Sequence, residues 1–174
     1  MCDDDVSQEK STTVQPFDWL TSAASLESIL SPILSDKTSN LVLHVGCGSS
    51  ILGELLIEKK SLNVSTVVNV DCDVETLRRM EQRWNDKVDQ SRHTNEGLLD
   101  ESAMQFVTAD FTLPDSLRHY TDDHNNISKF DVVLDKSTLD CMLCTEMGVV
   151  GLLLETYRCL KENGGVYQIG RAHV

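Results

Sequence analysis

Apolar residues along this chain fall into two alternating patterns: short continuous runs, and longer segments in which they recur at helical spacing. Runs at 41–45, 66–70, 104–108, 130–134 and 166–169 predict strands. Leu26, Ile29, Leu30, Ile33 and Leu34 predict an N-terminal helix, broken at Pro32 because proline lacks the N–H that a helix interior needs. Ile51, Leu52, Leu55 and Leu56 predict a helix directly after the first strand. Val74, Leu77, Trp84 and Val88 fall on one face among charged residues and predict another, with Asp73 placed to accept its first N–H groups. The polar stretch 89–102 predicts a loop. A last helix over 147–161 carries Val149, Leu153, Tyr157 and Leu160 on one stripe and stops at Asn163-Gly164-Gly165.

Strands alternating with helices argue for an α/β fold, a mostly parallel sheet with helices on both faces, whose ligands bind beyond the carboxyl ends of the strands. Those ends carry glycines or acids. The first strand is followed by Gly46-Cys47-Gly48-Ser49-Ser50, the second by Asp71-Cys72-Asp73, the third by Asp110 and the fourth by Asp135. The chain is expected to divide into a disordered acidic tail over 1–15, one domain over 16–168, and a non-native tail over 169–174 whose codons match a common sequencing-library adapter. The sheet is then expected to lack its last strands.

Composition narrows the partners. At 174 residues, with 40% hydrophobic and 25% charged, the chain suits one globular domain. Its net charge of -13 repels phosphate backbones, which disfavours nucleic acid and favours a basic protein. No apolar run approaches the roughly 18 residues of a membrane helix, so no membrane partner is expected. The acidic start and the 6 scattered cysteines point to reduced thiols and a cytoplasmic address. Cys141-Met142-Leu143-Cys144 has no second pair at zinc spacing, and its thiols are expected to be half-buried at a helix start; no metal is expected.

The glycine turn lets a backbone approach a ligand closely. A dinucleotide fingerprint would need glycine at position 51, where the chain has Ile51, so a nucleoside fits better than a pyrophosphate. Asp71 stands 23 residues after Gly48, near the offset at which an acid accepts hydrogen bonds from ribose hydroxyls. Asp110 could accept from an adenine amino group.

In order, the VGCGSS turn (45–50), the VNVD strand end (68–71), FVTADF (106–111) and LKENGG (160–165) resemble the successive motifs of class I S-adenosylmethionine-dependent methyltransferases. His44 and Ser50 depart from the acid and third glycine usual there. The segment FDVVLDKSTLD (130–140) is similar to the LDKGTLD stretch of methyltransferase-like lysine methyltransferases acting on translation elongation factor 1 alpha, with Ser137 for Gly. Phe17-Asp18-Trp19 resembles the segment that closes over the cofactor in that group. The resemblance implies S-adenosyl-L-methionine held by Trp19, Gly46, Cys47, Gly48, Ser50, Asp71, Cys72, Asp110, Phe111 and Asp135. It further implies that Asp135 lies beside the transferable methyl and shapes the acceptor channel, Lys136 and Asp140 bracing the loop, and that the substrate is a lysine of a basic protein of elongation factor 1 alpha type. A small-molecule methyltransferase and a non-catalytic binding module of the same fold stay open.

Overall fold

The computed structural model describes residues 23–35, 39–94, 98–121, 129–144 and 148–169. The acidic tail over 1–15, Trp19 with its neighbours, and residues 170–174 lie outside the described residues. The strands β1 (Asn40–Val45), β2 (Val64–Asp71), β3 (Met104–Thr108), β4 (Val132–Asp135) and β5 (Val166–Ile169) form one sheet in the order β3-β2-β1-β4-β5. Every pairing in it is parallel. Ile169, read from the sequence as tail, pairs opposite Asp135 at the end of β5.

Because successive strand residues point to opposite faces, each strand feeds two cores. Val42, Val67, Val132 and Leu134 pack under α1 (Ala23–Leu34), α2 (Leu52–Glu58) and α3 (Val74–Thr94), together with Leu30, Leu52, Trp84 and Val88. Leu43, Val45, Val68, Val70 and Val133 face the other way, onto Phe111, Leu152 and Cys159. The short helices α4 (Arg118–Thr121) and α5 (Thr138–Met142) and the longer α6 (Gly148–Cys159) complete the described chain. Among the described residues no helix is long and apolar enough to cross a membrane.

Several elements differ from the sequence reading. Helix α1 runs through Pro32 to Leu34 rather than breaking there. Pro32 lies one turn from the end, where a single lost bond is tolerated, and fully buried Leu30 and Leu34 hold the helix down. The Asn40 side chain then donates to the Leu34 carbonyl at 2.8 Å. Helix α3 continues to Thr94, into the stretch read as loop, because Val88 and Ser91 keep its inner face buried. Val74, at its first turn, is 62% exposed instead of sharing that face, whereas Asp73 accepts from the Glu75 and Thr76 N–H groups as expected. Regular pairing in β4 begins at Val132, with Phe130 making only an isolated bridge to Leu160.

The largest correction concerns α6. Half of its expected stripe points out: Leu153 is 42% and Tyr157 76% exposed, while Val149 is half-buried, Leu160 packs on the core, and Leu152 and Cys159 are fully buried. Three consecutive leucines, 152–154, satisfy either face by periodicity alone. Gly151 decides between them, since a β-carbon there would lie 2.2 Å from the carbonyl oxygen of Phe111 in the segment after β3, so the glycine face is the one that packs closely on that backbone. The polar residues turned inward are satisfied. Thr156 Oγ1 donates to the Leu152 carbonyl at 2.7 Å, and Glu155 accepts from the Leu117 N–H at 3.2 Å and from Arg158 at 3.0 Å.

Candidate functional site

At the centre of the sheet, β1 ends at Val45 and the chain turns through Gly46 and Gly48, both left-handed with φ of +55° and +51°. Side chains other than glycine adopt that conformation at a cost. The Cys47 N–H donates to Val70 O at 3.0 Å, and the Gly48 N–H donates to Asp71 Oδ2 at 2.8 Å. The acid that ends β2 thus clasps the turn that ends β1. Asp71 Oδ1 accepts the Asp73 N–H at 3.0 Å. A carboxylate offers about four lone-pair sites, so Asp71 keeps acceptor capacity for a ligand. Above Gly48 there is room: a β-carbon there would meet no atom within 4 Å.

The neighbouring residues take less uniform positions. Cys47 is 3% exposed against Leu77 and Met80, and burial together with the Asp71 charge pushes its thiol far above the ordinary range. Cys72 is exposed. Asp110 follows β3 and accepts from both the Thr112 N–H (2.9 Å) and the Thr112 hydroxyl (2.6 Å), bonds that hold its carboxyl below the usual range. Phe111 packs its ring into the core under the turn. His44 lies wholly inside the sheet, its Nδ1 3.2 Å from Asn69 Oδ1, rather than at the ligand edge.

The segment 130–140 is joined to the glycine turn. Asp135 pairs opposite Val45 and is 1% exposed. It accepts from the Thr138 N–H at 2.7 Å, the Leu139 N–H at 3.0 Å and the Tyr167 hydroxyl at 2.7 Å. Burial raises its pKa above the carboxylate range, and those hydrogen bonds pull the other way. Its carboxylate therefore starts α5 and holds Tyr167. Thr138 Oγ1 donates to Val45 O at 2.9 Å, and occupies the place where a β-carbon on Gly46 would come within 1.9 Å. Lys136 is 5% exposed with Nζ 3.4 Å from Ser50 Oγ, and that hydroxyl also accepts the Leu52 N–H at 3.2 Å. Further back, Lys161 of the LKENGG exit pairs with Asp131 at 2.8 Å.

Three contributors escaped the sequence reading. Arg83 reaches from α3 to the Ser49 and Ser50 carbonyls, both at 3.3 Å, while paired to Glu54 at 2.6 Å. Its only signal was a basic residue one position before buried Trp84. Tyr167 is invisible until β5 is in register, where it pairs with Val133 two residues before its partner Asp135. Thr138 had no signal beyond the motif that contains it. Cys141 and Cys144 are both exposed, not half-buried, because α5 ends at Met142 and turns that corner outward. Among the described residues no group of three metal-ligating side chains occurs. A cavity of about 540 Å³ lined by Trp84, Asn85, Leu99, Glu101, Met104 and Phe106 lies beside the outer edge of β3 and shares no residue with the glycine turn.

Along the carboxyl edge, then, stand Asp110, Asp71, the glycine turn and Asp135 with Lys136, on β3, β2, β1 and β4 in spatial order. The fold is that of the Rossmann-like class I methyltransferases, and its strand order reverses beside β1, the point at which sheets of this kind take ligands beyond their carboxyl ends. The chain superposes on an S-adenosylmethionine-dependent methyltransferase from Clostridium acetobutylicum with a TM-score of 0.53 at 18% identity, covering 84% of this chain and 47% of that one. It is 30% identical over 157 residues to a mouse protein named eEF1A lysine and N-terminal methyltransferase, covering 88% of this chain but only 18% of that protein's length. It is 24% identical over 151 residues to the Neurospora crassa protein named Methyltransferase srdJ, covering 85% of this chain and 57% of that protein. No family model matches the chain.

Proposed function

We propose that this chain is an S-adenosylmethionine-dependent methyltransferase whose acceptor is a lysine of a basic cytoplasmic protein, of the elongation factor 1 alpha type. The observation that carries the cofactor reading is the clasp between Asp71 and Gly48 beside open space. That cradle fits a nucleoside: bare backbone approaches from β1, and Asp71 offers acceptors to ribose hydroxyls. Asp110 offers its second oxygen to an adenine amino group, and Cys72 and Phe111 shape the wall on that side. Gly46, Cys47 and Ser50 hold the turn.

When bound, the cofactor supplies an electrophilic methyl on a sulfonium sulfur. The chain's own residues have to position an amine in line with it, and positioning supplies most of the acceleration in such transfers. A lysine at pKa about 10.4 costs on the order of 4 kcal/mol to deprotonate near neutral pH. The net charge of -13 draws a basic substrate in. Asp135 acts here as a positioning residue, fixing Tyr167 and the start of α5 beside the crevice.

The lysine reading draws support from the FDVVLDKSTLD segment and from the name of the mouse relative. Incubating the chain with methyl-labelled cofactor, in parallel with cell lysate and with a metabolite pool, tests it. Label in a protein band, mapped to lysine, is expected. Label confined to small molecules would favour a small-molecule methyltransferase, and no nucleoside binding by calorimetry would favour a non-catalytic module.

A further inference from the structure

We propose that Cys141 and Cys144 are a dithiol modification site, which a low-molecular-weight disulfide oxidises to an internal Cys141–Cys144 bridge and which thiol reductants restore. Its chemistry is separate from methyl transfer, and it stands whether or not the cofactor reading does.

Among the described cysteines, Cys47 and Cys159 are buried, and Cys72 is exposed but stands alone in sequence. Cys141 and Cys144 are both exposed, three residues apart, at the corner where α5 ends. Leu139 and Met142, with the same spacing, pack on the core of Leu43, Val133 and Leu152 and so fix which way the corner turns. The start of α5 is tied to the sheet, where Asp135 accepts the Thr138 N–H at 2.7 Å and the Leu139 N–H at 3.0 Å. Thr138 Oγ1 adds its bond to Val45 O at 2.9 Å. The helix is thus anchored at one end and inward on one side, and the two thiols face solvent together at the other end.

The Cys144 N–H donates to Cys141 O at 3.2 Å, an i to i+3 bond. Side chains joined by such a turn eclipse one another, whereas those three apart on a regular α-helix hold their β-carbons about 5–6 Å apart. A disulfide needs β-carbons roughly 3.5–4.5 Å apart and α-carbons within about 6.8 Å, and a turn of this kind keeps its ends within about 7 Å. Closing the bridge takes a shift of about 1 Å at an exposed corner. In the reaction, the thiolate of either cysteine attacks one sulfur of the small disulfide and expels its other half as a thiolate, leaving a mixed disulfide on the chain. The second cysteine's thiolate then attacks the chain's own sulfur in that mixed disulfide and expels the remaining half. Two S–H bonds give way to one S–S bond, and the small disulfide takes up two electrons and two protons to leave as two thiols. A bridge this exposed is open to attack by thiols in turn, so the dithiol prevails where reductants are in excess.

Incubating the folded 174-residue chain with glutathione disulfide, then alkylating it in denaturant and weighing its tryptic peptides, tests this. Residues 137–158 form one tryptic peptide containing these two cysteines and no other, and residues 61–78 form one containing Cys72 alone. Peptide 137–158 is expected to be two hydrogens lighter and unalkylated, and to alkylate at both cysteines once dithiothreitol has been added. Cys72, with no partner in its peptide, should carry glutathione instead. Cys141→Ser and Cys144→Ser should each replace the bridge by a lasting glutathione adduct on the thiol that remains. In the unmodified chain, alkylation of both cysteines after the treatment, a lasting glutathione adduct on either one, or a bridge from either to a second chain overturns the proposal.

Discussion

Gly46 and Gly48 have nearly the same backbone angle and quite different surroundings, so alanine at each position separates strain from steric conflict. An alanine at either one pays for a left-handed conformation, about 1–2 kcal/mol. At Gly48 that is the whole cost to folding, because a β-carbon would meet nothing within 4 Å. At Gly46 the new methyl would come within 1.9 Å of Thr138 Oγ1 and 2.9 Å of its Cβ and Cγ2. Thr138 is 8% exposed and has little room to retreat, so its 2.9 Å bond to Val45 O breaks. Losing that bond costs about 1 kcal/mol, and displacing the buried Thr138 hydroxyl from its acceptor adds on the order of another 1 kcal/mol. Gly46→Ala should therefore cost about 3–4 kcal/mol in total, some 2 kcal/mol more than Gly48→Ala.

Urea unfolding followed by circular dichroism reads the difference. With a slope of about 1–3 kcal/mol per molar urea, the two midpoints should lie roughly 1 M apart. On the proposed cofactor site, nucleoside affinity should rank the pair in reverse, since the nucleoside would fill the open space above Gly48: Gly48→Ala loses binding while remaining folded. Adding Thr138→Ala to Gly46→Ala removes the 1.9 Å contact and should show a coupling of about 1 kcal/mol or more. Equal midpoints for the two alanines, together with no coupling, would refute the claim that the segment after β4 is wedged against the glycine turn.

Tyr167→Phe removes one donor from buried Asp135 and should cost about 1.5–3 kcal/mol on unfolding, with the Asp135 carboxyl titrating higher still in a carbon-13 NMR titration. A carboxyl whose folded pKa is raised contributes stability fully below the ordinary carboxylate range and loses it as pH rises through the folded value, so this variant should lose more stability than the unmodified chain as pH rises from the ordinary carboxylate range through the raised Asp135 value. Glu75, held down to about 2 by Arg78 and Arg79, should titrate near that value. Its contribution is present above the ordinary value of 4.5 and disappears as pH falls through about 2, and 1 M salt should move the midpoint upward because the groups are exposed. In the folded chain an alkylating reagent should label Cys72, Cys141 and Cys144, and should reach Cys47 and Cys159 only after denaturation, since burial pushes the Cys159 thiol up to about 12 and that of Cys47 further. Early labelling of Cys159 would contradict the inward face assigned to α6.

Strand and helix alternation, the parallel sheet, and the acids and glycines at its carboxyl edge were legible in the residues themselves, because apolar runs and breaker residues are local properties of a chain. So was the place of Asp71 at the end of the second strand, 23 residues after Gly48 and one strand-helix-strand unit on, but not the bond it accepts from the Gly48 N–H. What periodicity left open was direction. Leu152, Leu153 and Leu154 serve two faces equally, and the choice fell to Gly151 meeting the Phe111 backbone, a contact between distant segments. Pro32 reads locally as a stop, yet core burial on either side of it carries the helix on. Thr138 against Val45 and Tyr167 against Asp135 bridge 93 and 32 residues through neighbouring strands. Such pairs exist only once strand order and register are set, and the register is set by packing of the whole sheet, which no local pattern encodes.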